Sequence, residues 1–522
     1  MKKLILLLPL FFTLVFLFTS CDSEDTPDPD PVEVNTVSQF IYDGMSSLYY
    51  WADDVVSKKP GITDDSPEDY FSKILNPTDT QHGWSWITDD VQGLLAGFKG
   101  ESLSFGYDLG GFISIDNIVY AYVRYVYKNS PADKAGIKRL DLIGKLNDHF
   151  IATEERNGKK YVSDNDINLL YGNNSVKFTL YRLSGSDAVQ HKEVTVTPDN
   201  SAKDPVLYDN IYTIGDKKIG YLFYTDFYDN YNNRLFDVFS NFKQAGVTDL
   251  VLDLRYNGGG AISAATYLAS MIAPRSIVET KSPFVVLDYN NYLNTYFDQS
   301  YNEAPDNKKQ NYDRKYYLGI YDQQYEENPL GANLDLDNVY IIATDNSYSA
   351  SELITFCLES YMNVEHIGSN TGGKYTGSWT IHAYDHLDGS AQIVYDESKL
   401  STTQKNRLEN WAMQPIVAIY SNKDNENFMN PGYLEPEYPL REGFGYINYW
   451  TPLGDTKDVL LGQALYLITD DENYKPQQTS SVRSMLHAER EIHHTIKQSK
   501  PLIIDNIKLT PEDFQKLREL HD

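Results

Sequence analysis

The sequence predicts a multidomain α+β protein: a helical N-terminal domain, a small β-rich domain and an α/β core. Three observations predict it. Apolar residues recur at helical spacing early in the chain, short β-rich runs follow between about residues 96 and 200, and strand and helix patterns alternate from about residue 205. A length of 522 residues leaves room for two to four domains.

The first element is not part of the fold. Met1-Lys2-Lys3 is basic and Leu4 to Phe18 almost wholly apolar, so residues 1–20 read as a secretory signal, too short and too abruptly ended for a membrane span. Phe18-Thr19-Ser20-Cys21 resembles a bacterial lipobox, in which cleavage leaves a lipid on Cys21, although Phe18 stands where an aliphatic is usual. The other reading is an ordinary signal peptide that contains a cysteine. Residues 21–35 are acidic, proline-rich and almost free of apolar groups, which describes a disordered tether. Acidic residues after the cysteine resemble the surface-export signal of Bacteroidetes lipoproteins. The expected location is therefore the bacterial cell envelope, as a lipoprotein of the outer membrane on its periplasmic or surface side, with membrane contact through the N-terminal lipid alone. Lipidation would consume one of two cysteines and leave Cys357 without a disulfide partner, so the fold must rely on its core.

Residues 36–95 form the predicted helical domain. Val37, Phe40, Ile41, Met45, Leu48 and Trp51 lie at helical spacing, and a second helix starts at the Ser66-Pro67-Glu68-Asp69 cap. Within 96–200, Ile118 to Tyr125 and Val176 to Tyr181 read as strands, and Ser130-Pro131-Ala132 opens a short helix that Gly136 closes. Within 201–475, predicted strands are Ile219 to Tyr224, Asp249 to Arg255, Val339 to Thr344 and Val364 to Gly368. Helices are expected from Asn232 to Lys243, from Ala261 to Ile272 and after Ser349. The polar, tyrosine-rich stretch from Tyr289 to Asn333 reads as an elaboration over the site. Residues 476–522 are a C-terminal extension with a helix expected from Val482 to Lys497.

A net charge of −29 argues against nucleic acid as a partner, because phosphates would be repelled, and against adhesion of the folded surface to anionic lipid. Chemistry points to two strand-to-helix turns. In DLRYNGGGAI, residues 253 to 262, three glycines let the backbone approach a ligand, as an anion cradle or as a plain tight turn. In NSYSASELITF, residues 346 to 356, Ser349 and Glu352 have capping-box spacing, yet a serine at such a bend also exposes its hydroxyl. A serine needs a base. Lys374, in GSNTGGKYTGS, is either a solvated loop lysine or an amine buried beside the serine, which burial would neutralise with a pKa near about 7 to 8. His493 and His494 with Glu491 read as a polar surface helix, and His382, Asp385 and His386 as ordinary polar residues. No metal and no cofactor is called for.

Two resemblances sharpen this reading. NSPADKAGIKRLDLIGKLND, residues 129 to 148, resembles the signature of PDZ domains, with Leu140 where glycine is usual. The resemblance implies peptide capture by strand addition, with Gly110, Gly111, Phe112 and Ile113 supplying amides to a terminal carboxylate. NSYSASE, the preceding DLRYNGGG and Lys374 in GGKYTGS resemble the C-terminal-processing (tail-specific) serine peptidases over about residues 96 to 470, with a helical N-domain like that of Bacteroidetes members. In that family the base lysine lies 25 residues after the nucleophile, the separation of Ser349 and Lys374. The resemblance implies a crotonase-like core and a serine endopeptidase acting on peptides or unfolded protein, with Ser349 as nucleophile and Lys374 as general base. It places the oxyanion donors on Ala350 and Gly259. Gly258 replaces the family's proline, and Ser378 stands where many members orient the lysine with glutamine, so Ser378, Thr376 or another group holds Lys374. The rival reading is a non-catalytic lipoprotein that only binds peptides; a second rival is a hydrolase of non-peptide acyl substrates. Substrate identity and oligomeric state are not legible.

Overall fold

The computed structural model describes residues 34–185, 187–387, 389, 391–442, 451–476, 492–493 and 501–520. The signal, Cys21 and nearly all of the tether lie outside these. Asn35, assigned to the tether, is instead the cap of the first helix: its side-chain oxygen accepts from Val37 N–H and Ser38 N–H. Most of the stretch expected as a helix from Val482 also lies outside. Ile492–His493 is extended and pairs in parallel with Lys160 and Tyr161, which overturns the helix there. Ile492 finds an apolar slot in the core of the small sheet domain, and a strand reaches it more directly than a helix.

The central sheet has the order 206–214, 217–224, 249–253, 338–343, 363–368, 438–439. The middle four strands are parallel, as strand-helix alternation requires. The helices Asn232–Ala245, Ile262–Ile272 and Ala350–Leu358 bury one face of this sheet in the main core, and Val459–Thr469 covers the other. The glycine-rich and serine-rich turns therefore leave the carboxyl ends of adjacent parallel strands, 249–253 and 338–343, where helix starts and side chains converge.

The small domain is built on strands 107–115, 118–126, 142–146, 176–184 and 187–196, paired in that order. Ser130 caps the short helix Pro131–Lys134 as its sequence predicts. Gly110 and Gly111 form a bulge between Leu109 and Phe112, with the Tyr122 ring where a Gly110 side chain would stand.

The N-terminal helices share the main core instead of forming one of their own. Phe40, Ile41, Met45 and Leu48 are fully buried, and strand Trp86–Thr88 pairs with Ala412–Gln414. The tyrosine-rich stretch clamps the termini instead of overlying the reactive turns. Asn290 donates to Ser47 O and Tyr49 O, Tyr292 to Asp53, and Tyr296 to Asp513. Within the C-terminal extension, Leu502–Ile503 adds in parallel to Thr376–Ser378. Ile503 N–H donates to Gly260 O, and Ile504 N–H to Ser378 O.

Candidate active site

Ser349 is the N-cap of helix Ala350–Leu358 and has φ +62° and ψ −114°, a backbone that a side chain rarely adopts. Three neighbouring hydroxyls explain how the turn is held there. Ser347 Oγ donates to Leu254 O at 2.7 Å and accepts from Thr344 N–H, Ser351 Oγ donates to Asn257 O at 2.9 Å, and Thr344 Oγ1 donates to Arg255 O. The serine-rich turn is thus sewn to the glycine turn. Ser349 alone contributes nothing to that sewing: its hydroxyl is buried and has no hydrogen-bond partner. The capping-box expectation holds for the other half only, with Ser349 N–H donating to Glu352 Oε2 at 2.7 Å.

Glu352 does more than cap. It is fully buried, and its carboxylate also accepts from Gly373 N–H at 2.7 Å and from Lys374 N–H at 2.8 Å. One oxygen, Oε2, therefore spans the backbones of Ser349 and Lys374. The two sequence candidates are brought to one place by a residue that sequence reasoning valued only as a helix cap. Burial raises the Glu352 carboxyl above its ordinary pKa, opposed by hydrogen bonds from Thr371 and these three amides.

Lys374 is 2% exposed. Burial lowers its amine from the ordinary 10.5 to about 8, against the pull of the Asp79 and Glu352 carboxylates. Asp79, missed in the sequence, comes from helix Pro77–His82 of the N-terminal segment. Nothing local marks it. Ser378 and Thr376 are fully buried, but neither hydroxyl has a hydrogen-bond partner, so neither holds the lysine as expected. Both face strands instead, Thr376 opposite Ile419 and Ser378 opposite Ile416.

The glycine turn lies against the serine. A side chain at Gly259, where φ is +111°, would stand 2.7 Å from Ser349 Oγ, so only glycine fits. None of the described residues accepts from Ala350 N–H, so it remains available to a ligand. Gly259 N–H, the other expected donor, gives its proton to Asn257 Oδ1 at 2.9 Å. Beneath the turn, Arg255 is fully buried between Asp253 and Asp458 and reaches Glu442. His382 is held by Glu409 O and its ring accepts from Asp385 N–H, a structural role. Among the described residues no cluster of metal-ligating side chains occurs.

The site thus holds a buried Ser349 hydroxyl, a Lys374 amine of lowered pKa and a helix-start amide, with the Ser349 and Lys374 backbones sharing one Glu352 oxygen, but the Ser349 hydroxyl makes no hydrogen bond and so does not meet the amine as the sequence reading expects. Residues 218–419 match the family model Peptidase family S41, and residues 36–86 match the Peptidase S41 N-terminal domain. A "Probable CtpA-like serine protease" of Staphylococcus epidermidis is 25% identical over 57% of this chain and 50% of its own length. One of Staphylococcus haemolyticus is 26% identical over 62% and 56%. The chain spans about half the length of the curated relatives it matches. A crystal structure described as "Putative S41 protease" from Bacteroides fragilis superposes with a TM-score of 0.61 at 23% identity, covering 83% of this chain and 97% of that one. The chain is similar to Peptidase S41 proteins over these residues, and its mixed α/β multidomain fold resembles that of the Bacteroides fragilis structure.

Proposed function

We propose that this protein is a serine endopeptidase that cuts peptide or unfolded protein substrates with a Ser349–Lys374 dyad. The observation that carries the reading is that one Glu352 oxygen accepts from the backbones of both Ser349, in its strained turn, and the buried Lys374; the reading requires the amine to turn onto the Ser349 hydroxyl, which makes no hydrogen bond at rest. In this reading Lys374, as the neutral amine, takes the hydroxyl proton while Ser349 Oγ attacks the scissile carbonyl. The ammonium then protonates the leaving amine, and water repeats the sequence on the acyl-enzyme. Ala350 N–H stabilises the oxyanion, joined by Gly259 N–H once the Asn257 side chain turns away. The small domain acts as a PDZ-like module: its strand 107–115 lies at the edge of its five-stranded sheet among the described residues, with Gly110 and Gly111 in its bulge and Phe112 and Ile113 buried. The core is crotonase-like in this reading, and a lipid on Cys21 anchors the enzyme in the bacterial envelope.

The second reading, a peptide binder without activity, is favoured by the engagement of Gly259 N–H and by the silent Ser378 and Thr376 hydroxyls. Digestion of denatured protein by the tetherless chain decides between them. Wild type is expected to cut, and S349A and K374A to lose cleavage by several orders of magnitude; binding with no cleavage in all three would leave only the binder. The pH profile of kcat/KM is expected to rise through an apparent pKa of about 8, because only the neutral amine accepts the proton.

A further inference from the structure

We propose that Asp505, in the C-terminal segment, supplies the cap that helix Ile262–Ile272 lacks in its own sequence, and so acts as a positioning residue for the glycine turn beside Ser349. The inference rests on the dyad reading, which uses that turn, and goes beyond it, since the dyad assigns the C-terminal segment no part in the reaction.

The helix needs such a cap. Its first N–H groups have no partner within the helix, its N-cap residue is Ala261, whose methyl accepts nothing, and no acidic residue stands in its first turn. Asp505 comes from outside. Its Oδ2 accepts from the Ser263 hydroxyl in that first turn, which brings a carboxylate to the positive end of the helix.

The carboxylate is held in that direction. Tyr316 OH donates to Asp505 Oδ1 at 2.7 Å and in return accepts from Asp505 N–H at 2.8 Å and Asn506 N–H at 3.1 Å. Tyr316 is itself buried, on strand Lys315–Tyr317. One oxygen therefore meets the scaffold and the other meets Ser263.

The glycine turn depends on outside ties because its own residues supply few. Gly259 and Gly260 have φ +111° and +144°, and neither has a side chain to lock that backbone. Neighbouring strands fix it from two sides. Phe227 N–H donates to Gly259 O at 3.0 Å, and Phe227 O accepts from Ala261 N–H at 2.9 Å. On the other side Ile503 N–H donates to Gly260 O at 2.9 Å, and Ile503 pairs in parallel with Ala261. Ser263 and Asp505 each lie two residues beyond that pair, so the side-chain bond continues the register of the backbone pairing. Gly259 stands against the serine, since a side chain there would lie 2.7 Å from Ser349 Oγ. A looser helix start lets Gly259 drift from that hydroxyl, which slows the chemical step without changing how substrate docks.

The test uses the full chain as wild type, D505A, S263A and the double variant. Hydrogen–deuterium exchange is read over residues 256–264 and over residues 501–509. In both single variants exchange over 256–264 is expected to rise several-fold, and the double variant should exchange no faster than D505A, because both changes delete one contact. Residues 501–509 should keep wild-type protection in S263A, which leaves the segment's own pairing and apolar anchors in place. For a peptide substrate, kcat should fall several-fold with KM unchanged in each single variant, again with no further loss in the double. If D505A fails to fold, S263A decides by the same readings. Wild-type exchange over 256–264 in S263A overturns the proposal. So does additive loss in the double variant, and so does loss of protection over 501–509 in S263A, which would make the contact a fastening of the segment alone. Exchange needs no turnover. Faster exchange over 256–264 in the variants of a wild type that cuts nothing would sink the peptidase reading alone, and unchanged exchange in the variants of a wild type that cuts would sink this proposal alone.

Discussion

Glu352 shows what a single side chain has to be. Amides approach both of its oxygens, and a carboxyl accepts at both where an amide side chain cannot. E352Q presents an NH2 group to at least one of those N–H donors. The expected result is a stability loss of about 1–3 kcal/mol by thermal melt and a loss of cleavage well beyond what that loss explains, because the shared anchor of Ser349 and Lys374 is gone. S347A takes the acceptor from the buried Thr344 N–H and one of two hydrogen bonds from Leu254 O, and is expected to cost about 1–3 kcal/mol; S351A takes only one of two hydrogen bonds from Asn257 O and is expected to cost about 1 kcal/mol. Lys374 has the opposite sign. Its folded pKa of about 8 lies below its ordinary 10.5, so the unfolded chain binds the proton more tightly. Stability is depressed at every pH below about 8 and recovers as pH rises from 8 to 10.5. K374M should therefore be more stable than wild type at pH 7, by on the order of 3 kcal/mol in denaturant unfolding, while inactive. Ser349 and Lys374 could be singled out in the sequence because their separation matches a known pattern. The part of Glu352 as shared acceptor could not, because it lies in contacts with a loop 21 and 22 residues on.

At the scale of elements, strand and helix positions in the α/β core followed from apolar runs, since parallel strands are buried on both faces and cannot hide their composition. Leu140, marked in the sequence as standing in a glycine position, has φ +74°. The turn before strand Leu142–Leu146 still needs that backbone, and leucine adopts it under strain. L140G should raise the melting temperature, with a gain of up to about 1 kcal/mol, and leave cleavage unchanged. The N-terminal helices showed their spacing in the sequence, but no periodicity says which core a helical face will join, and here it is the main one. The same blindness hid the role of helix Asn291–Glu303 and its cap Asn290, which hold the N-terminal segment at Ser47 and Asp53 and the C-terminal segment at Asp513.

The whole molecule is closed by residues 501–520. Leu502, Ile504, Ile507, Leu509, Phe514 and Leu517 are buried in the main core. Asp505 accepts from Ser263 and Tyr316, and burial raises its carboxyl to about 6. A chain shortened to end before Pro501 is expected to expose apolar surface, bind a hydrophobic dye and lose cleavage. The extension carried no sequence signal of this, since a short apolar run fits a loose tail as well as a sheet. Its strand lies between Gly260 and Ser378, bridging the glycine turn and the segment that follows Lys374. A single cut at that strand would release both turns at once, so one nick far along the chain would undo the arrangement that the two turns share.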